Sequence, residues 1–148
     1  MPKFMADHMV GKTCKWMRIM GYDTSYPQCR NDTDILKKCI AENRILLTRD
    51  YEFYKRYSRS IFLDSPYFKL QIKQVAKLFP PEKGLFFSRC PLCNGLLEEA
   101  SSSSMGQEFE SVKSRFSTVK YCPNCNKYYW NGSHYEKILL EIDSILKG

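Results

Sequence analysis

The sequence has no apolar run of about 18 residues, the length that a membrane-spanning helix requires. We therefore expect no transmembrane segment. The first residues lack a basic segment followed by an apolar stretch, so we also expect no secretory signal peptide. Seven cysteines make an odd number, which does not suit a framework of paired disulfides. These absences predict an intracellular protein with reduced thiols.

Acidic residues are scarce relative to basic ones in one part of the chain. The net charge is +7 over 148 residues. Residues 1–88 carry 16 Lys and Arg against 9 Asp and Glu, whereas residues 89–148 carry 7 of each. A basic surplus confined to the first part favours a phosphate-rich partner. The alternative is a basic domain that binds no polyanion.

A short apolar run, Ile45-Leu46-Leu47, is bounded by polar residues. Such a run predicts a strand buried on both faces, which is typical of a parallel sheet covered by helices. Further strands are predicted at 4–7, 22–26 and 61–63, and apolar residues at helical spacing lie between them. This alternation predicts an α/β fold, with a parallel sheet flanked by helices.

Two residue types mark helix ends in this part of the chain. Gly21 follows a run with helical spacing and is expected at the C-terminus of that helix. Asp32 or Thr33 is expected to cap the next helix. The apolar face of that helix is predicted to contain four residues: Ile35, Leu36, Cys39 and Ile40.

Three of the predicted strands end in an acid, namely Asp7, Asp50 and Asp64. The carboxyl ends of parallel strands share one edge of a sheet, where ligands bind. Asp34 lies in the first turn of a helix that should begin on the same side. Crowded carboxylates suit Mg²⁺ or Mn²⁺, which activates water and stabilises charge on a transferring phosphate. An acid after a strand is also a common helix cap, and this alternative remains.

Four cysteines form two Cys-x-x-Cys pairs: Cys90 with Cys93, and Cys122 with Cys125. One tight turn places both sulfurs of a pair on one ion, and two such turns complete the tetrahedral ligation of Zn²⁺. Four thiolates leave no open coordination position, so we expect a structural zinc ribbon. A ligand role for His134, or four thiols without metal, are the alternatives.

The composition changes near residues 82–89. We predict an α/β domain over residues 1–88 and a zinc ribbon with a C-terminal helix over residues 89–148. The polar, serine-rich stretch at about 101–117 is predicted to be a flexible insertion. The last helix carries an apolar stripe of five residues: Ile138, Leu139, Ile142, Ile145 and Leu146.

Several stretches together form a pattern that covers nearly the whole chain. In the first domain they are Asp7-His8-Met9-Val10-Gly11-Lys12, Trp16-Met17-Arg18-Ile19-Met20-Gly21-Tyr22-Asp23-Thr24, Asp34 and Arg44-Ile45-Leu46-Leu47-Thr48-Arg49-Asp50. In the second part they are Arg89-Cys90-Pro91-Leu92-Cys93-Asn94, Tyr121-Cys122-Pro123-Asn124-Cys125 and Tyr129-Trp130-Asn131-Gly132-Ser133-His134. This pattern resembles the PIN-like Mut-seven C-terminal RNase domain family with its zinc ribbon. The insertion at 101–117 departs from the family, as does Lys12-Thr13-Cys14-Lys15 in place of the usual Lys-Leu-Ala-Arg.

The resemblance implies RNA binding within a ribonuclease of small-RNA processing, in the cytoplasm or the perinuclear region. Members of the family occur as small proteins and at the C-terminus of Mut-seven and Nibbler-type exoribonucleases, in which a separate DEDD-type domain carries the exonuclease. By position, Asp7, Asp34 and Asp50 match the acids of the PIN-like site, and Asp64 is a weaker fourth candidate. These acids leave two alternatives open: RNA cleavage that depends on Mg²⁺ or Mn²⁺, and binding without cleavage, since many PIN-like domains bind RNA or proteins without cutting.

Six basic residues of the first domain are candidates for RNA contacts: Lys12, Lys15, Arg18, Arg49, Lys37 and Lys38. Single-stranded RNA is favoured, because Trp16 or Tyr51 could stack on bases. Burial of Trp16 in the core is the alternative. The competing function is a protein-docking module that tethers an exoribonuclease to a partner protein in a small-RNA complex.

Overall fold

The computed structural model describes residues 1–29 and 31–147. The chain divides into two compact units, Met1–Asn94 and Gly95–Gly148. The domain boundary between residues 88 and 89 stays a prediction. Within the described residues, every helix is too short or too polar to cross a bilayer.

A four-stranded parallel sheet forms the centre of the first unit. Its strands are β1 (Lys3–Ala6), β2 (Thr24–Ser25), β3 (Arg44–Thr48) and β4 (Ser60–Phe62), in the order β2-β1-β3-β4. All five residues of β3 are buried, as expected for the central strand of a covered parallel sheet. From β1 the chain first adds β2 on one side and then places β3 and β4 on the other. The topological switch point therefore lies between β1 and β3.

Helices connect the strands and cover both faces of the sheet, which confirms the predicted α/β fold. They are α1 (Gly11–Ile19), α2 (Asp32–Glu42), α3 (Tyr51–Lys55) and α4 (Phe68–Leu78), with 3₁₀ turns at His8–Val10 and Lys83–Leu85. On one face, residues of the sheet, α2 and α3 form a buried cluster of Met5, Ile35, Cys39, Leu46 and Phe53. The neighbouring residue Phe4 instead meets the rings of Tyr22 and Phe79, with centroids 5.6 and 5.5 Å away. Helices α1 and α4 pack against each other.

The N-terminus of α2 differs from the prediction. Asn31 is the N-cap, and its side-chain oxygen accepts a hydrogen bond of 2.8 Å from the backbone N–H of Thr33. The prediction of Asp32 or Thr33 was wrong because the helical conformation already begins at Asp32. The assignment of Ile40 to the apolar face was also wrong, since this side chain is 67% exposed. Only the narrow stripe of Ile35 and Cys39 is fully buried on α2.

Gly21 follows the end of α1 and has a backbone conformation that residues with a side chain rarely adopt. Its φ is +91°, and a Cβ atom would lie 2.6 Å from Leu85 Cβ and 2.7 Å from the Leu85 carbonyl oxygen. We expect Gly21→Ala to lower the free energy of unfolding by about 2 kcal/mol, from backbone strain and steric overlap together. Denaturant unfolding measures this change. Gly84→Ala is the matched control, because its Cβ would meet nothing within 4 Å. Equal stability of the two variants would contradict the expectation.

A partly buried ion network lies where β3 begins. Arg44 donates to Asp23 Oδ1 at 2.8 Å, to Glu42 Oε1 at 2.6 Å and to the Phe4 carbonyl at 3.0 Å. Burial by itself would raise the pKa of Asp23. Hydrogen bonds from Asn94 and Arg44, with the charges of Arg44 and Arg89, outweigh burial and hold this pKa below its usual value. The network thus joins the amino edge of the sheet to the segment that carries Cys90 and Cys93.

The second unit contains a three-stranded antiparallel sheet and a long helix. Its elements are β5 (Glu98–Ser101), α5 (Glu110–Arg115), β6 (Thr118–Cys122), β7 (Lys127–Tyr129) and α6 (Ser133–Lys147), with 3₁₀ turns at Ser102–Ser104 and Gln107–Phe109. The apolar stripe of α6 buries Ile142 and Ile145. Short helices therefore occupy the stretch 101–117, whose predicted flexibility stays a prediction.

Candidate functional site

The sulfur atoms of Cys90, Cys93, Cys122 and Cys125 come together, each within 4.8 Å of the others. Zn–S bonds of about 2.3 Å in a tetrahedron place the sulfurs about 3.8 Å apart, so the group has the size of a zinc site. Among the described residues, His134 does not belong to this group. The four thiols fit Zn²⁺ as ligands and would leave no open position for a reaction.

Two similar turns present these cysteines. In the first turn, the Asn94 N–H donates to the Cys90 carbonyl at 2.9 Å. In the second, the Asn126 N–H donates to the Cys122 carbonyl at 2.8 Å. Both asparagines have positive φ, of 72° and 54°, a conformation that asparagine tolerates better than most residues. The Cys125 N–H also donates to Cys122 Sγ at 3.4 Å, which orients that sulfur within its turn.

Asp7 and Asp50 meet the same threonine at the carboxyl edge of the parallel sheet. Thr48 Oγ1 donates to Asp7 Oδ2 at 2.7 Å and accepts from the Asp50 N–H at 3.0 Å. The Asp7 N–H donates to the Leu47 carbonyl at 3.0 Å, so the two strand ends are joined directly. Asp7 is only 6% exposed. The pair lies at the switch point between β1 and β3, where ligands bind in open α/β sheets.

Asp50 also begins α3. Its Oδ1 accepts a hydrogen bond of 3.2 Å from the Phe53 N–H, so it is the N-cap of that helix. The alternative of a capping role is therefore present in the structure, and it does not exclude a ligand role for the second carboxylate oxygen. The exposed side of Asp50 remains open to solvent.

Asp34 and Asp64 are both exposed. Asp34 is in the first turn of α2, and Asp64 follows β4, with its N–H bonded to Gln74 Oε1 at 3.1 Å. Within residues 1–29 and 31–147, no three carboxylates lie as close together as the four cysteine sulfurs do. The assignment of Asp7, Asp34 and Asp50 as catalytic residues stays a prediction.

A basic cleft of about 550 Å³ opens beside α1. It is lined by Gly11, Cys14, Lys15, Arg18, residues 25–28, Lys38 and residues 91–94. Three of the six predicted RNA-binding residues, Lys15, Arg18 and Lys38, thus share one concave surface that no carboxylate lines. Among the described residues, neither Lys15 nor Lys38 forms an ion pair.

Arg18 has a structural role within this cleft. It is 7% exposed, and its guanidinium donates to the Thr24 carbonyl at 2.7 Å and to the Pro91 carbonyl at 3.1 Å. These bonds hold the first cysteine turn against α1 while the positive charge stays at the wall of the cleft. Cys14 lines the same wall, and burial raises the pKa of its thiol to about 11 despite the nearby charge of Arg18. Cys14 is therefore an uncharged thiol at neutral pH.

The other predicted RNA contacts are dispersed. Lys37 is exposed on α2, and Arg49 donates to the Leu63 carbonyl at 3.3 Å. The ammonium of Lys12 lies 4.2 Å from the centre of the Phe68 ring. Of the two aromatic residues considered for stacking, Trp16 is half-buried against Phe68, whereas Tyr51 is exposed beside the rings of Tyr54 and Phe62.

Two residues that contribute to these sites had no role assigned from the sequence. Thr48 joins Asp7 to Asp50, and its position directly after a buried apolar run was the available signal. Asn94 supports the first cysteine turn and also donates to Asp23 Oδ1 at 2.7 Å. The repeat of Cys-Pro-x-Cys-Asn at 90–94 and 122–126 would have indicated a shared turn with asparagine at its end.

A family model described as the Mut7-C RNAse domain matches residues 2–142 of this chain. No curated protein and no solved structure matches it.

Proposed function

Because the chain belongs to the Mut7-C RNAse domain family, we propose that its first unit binds RNA and presents the phosphate backbone to Asp7 and Asp50. The basic cleft is the observation that carries this proposal. Lys15, Arg18 and Lys38 surround one concavity without a carboxylate, which suits a polyanion. A role within small-RNA processing is part of the proposal and comes from the family resemblance.

The acids at the switch point support a further step, which is cleavage of the bound strand. Asp7 and Asp50 offer carboxylate oxygens, the ligands that Mg²⁺ and Mn²⁺ prefer, and Mg²⁺ is often held by one or two carboxylates together with substrate phosphates. When bound, such an ion activates water and stabilises charge at phosphorus. Thr48 holds one oxygen of Asp7 in place, and the N-terminus of α3 holds one oxygen of Asp50. The chain's own contribution is thus the fixed orientation of these two acids.

The four-cysteine group supports the fold in this proposal and takes no part in the reaction. Residues 91–94 of the first cysteine turn form one wall of the basic cleft. Zinc held by Cys90, Cys93, Cys122 and Cys125 would keep that wall in position, because four sulfur ligands define the geometry of both turns.

We expect RNA affinity to fall steeply with salt, since each neutralised phosphate of a single strand contributes about −0.7 to the slope of log affinity against log salt. Replacing both Lys15 and Lys38 with alanine should weaken binding for all sequences and make the slope less steep by about 1.4. Fluorescence anisotropy with a labelled RNA at several salt concentrations measures both quantities.

Lys77→Ala is the control for this experiment. Lys77 is exposed on α4 and does not line the basic cleft, so its removal tests the effect of net charge alone. An equal loss in the control and in the double variant would show that the cleft has no special role. Absence of RNA binding by the unmodified protein at low salt would overturn the proposed function.

A further inference from the structure

A second concavity, the apolar groove, opens near the same edge of the sheet. Its volume is about 600 Å³, and it is lined by Met9, Val10, Lys12, Thr13 and residues 66–71. Met9 belongs to the 3₁₀ turn that follows Asp7, and residues 66–71 follow β4 and begin α4. Both walls therefore extend from carboxyl ends of strands, on the side where Asp7 lies.

The groove exposes large apolar side chains. Tyr67 is 70% exposed, Met9 66% and Leu70 51%. Apolar side chains gathered at one concave place, rather than scattered singly, indicate a surface that binds something. Tyr67 is the N-cap residue of α4, and its N–H donates to Ser65 Oγ at 3.1 Å, so the backbone that carries this exposed ring is held.

The floor of the groove is held by buried contacts. Thr13 Oγ1 donates to Gln71 Oε1, and Gln71 Nε2 donates to the Ser65 carbonyl at 2.8 Å. The centroid of the Phe68 ring lies 4.2 Å from the Lys12 ammonium and 5.8 Å from the centroid of the Trp16 ring. A ligand would therefore meet a preformed surface, and this reduces the ordering cost of binding.

The charged residues at the groove are all basic, which favours a ligand that carries negative charge as well as apolar groups. Lys12 and Lys69 line it, and no carboxylate does. Apolar, aromatic and cationic groups on one surface match the single-stranded nucleic acid surfaces in which bases stack on aromatic rings while cations follow the backbone. Paired bases in a duplex are stacked on each other and cannot occupy such a groove.

The groove and the basic cleft share helix α1. Lys12 and Thr13 line the groove, whereas Gly11, Cys14 and Lys15 line the cleft. At a rise of about 1.5 Å per residue, Lys12 and Lys15 are separated by about 4.5 Å along the helix axis. Residues three apart are also neighbours on a helix surface, so a strand that crosses this part of α1 contacts both lysines.

We propose that the apolar groove binds unstacked bases of single-stranded RNA, with Lys12 and Lys69 beside the phosphates of the strand. The inference rests on the proposed function and deepens it, because it names the substrate class as a strand with accessible bases. Tyr67 is the residue on which a base stacks, and Met9 and Leu70 supply apolar contacts beside it.

The test compares a labelled oligouridylate with a strand of equal length that has the same phosphates and sugars but no bases. We expect the 148-residue protein to bind the base-bearing strand about tenfold more tightly than the abasic strand. Tyr67→Ala should weaken binding of the base-bearing strand about tenfold and leave binding of the abasic strand unchanged. Tyr67→Phe keeps the ring and should retain the affinity.

A leucine pair on α4 gives the matched control. Leu70 lines the groove, whereas Leu78, which is 58% exposed on the same helix, does not. Leu70→Ala should lower affinity for the base-bearing strand, and Leu78→Ala should not. Both side chains are exposed, so neither substitution should affect folding.

The results separate the two proposals. Equal affinity for the two strands with strong salt dependence, or no effect of Tyr67→Ala, would overturn the base-binding groove and leave RNA binding by the cleft in place. No binding of either strand would overturn both. Selective loss of the base-bearing strand in Tyr67→Ala and Leu70→Ala supports the groove.

Discussion

Replacing Cys122 with serine is expected to remove zinc from the protein and unfold the antiparallel sheet of the second unit. The sulfur of Cys122 is buried and belongs to the four-sulfur group, and its residue ends β6. Structural zinc contributes about 10–16 kcal/mol to folding in small zinc modules. This is as large as the whole free energy of unfolding of most domains. The β5–β7 sheet is small, so it has little other burial to compensate for the loss.

Metal analysis of the purified protein measures the first part of this expectation, as about one zinc per chain for the unmodified protein and none for Cys122→Ser. Amide hydrogen exchange measures the second part, as loss of protection in β5, β6 and β7. Cys29→Ser is the control, because Cys29 lies outside the four-sulfur group. Protein that is folded without zinc, or a Cys122→Ser variant with unchanged protection, would contradict the zinc assignment.

Replacing Asp50 with asparagine is expected to abolish metal-dependent cleavage of RNA while binding stays equal or becomes tighter. Asparagine is as good an N-cap as aspartate, so α3 should keep its first turn and only the charge is lost. A divalent ion held by Asp50 would lose a charged ligand, so the rate should fall about 100-fold or more. RNA binding should not weaken, because the substitution removes a negative charge that repels phosphate.

Asp7→Asn should have the same effect, because it also removes one carboxylate charge. The local structure should be kept, since the amide oxygen can still accept the hydrogen bond from Thr48. The measurement is degradation of a labelled single-stranded RNA with added Mn²⁺, in matched preparations of each variant. Asp143→Asn removes one exposed acid from α6 and controls for net charge. If the unmodified protein and Asp50→Asn degrade RNA at equal rates, and Mn²⁺ changes neither, the domain binds RNA without cleaving it.

Local patterns carried most of the fold. The run Ile45-Leu46-Leu47 predicts β3 because a short apolar run bounded by polar residues is typical of a strand covered on both faces, and β3 is buried throughout. Gly21 predicts the end of α1 because glycine readily adopts the positive φ that often follows a helix, and its φ in the structure is +91°. The error at the start of α2 has a simple cause, since Asn31, Asp32 and Thr33 are all competent caps and the choice among them depends on the path of the preceding chain.

The cysteine group was predictable for a similar reason. Two residues between sulfurs allow one turn, and four sulfurs of this spacing have few uses other than a shared ion. The role of Asn94 was less accessible, because its contacts with Asp23 and Thr24 join residues about 70 positions apart in the chain.

Sequence patterns alone were sufficient to predict the α/β class, the cysteines that come together, the basic surplus of residues 1–88 and the family to which these features point. They were sufficient because strand burial, helix ends and metal-ligand spacing depend on neighbours in the chain. The folded chain was needed to show that Thr48 joins Asp7 to Asp50. It was also needed to show that Lys15, Arg18 and Lys38 line one cleft, and that Met9 and Tyr67 line one groove. These relations depend on strand order and helix packing, which bring together residues far apart in the chain.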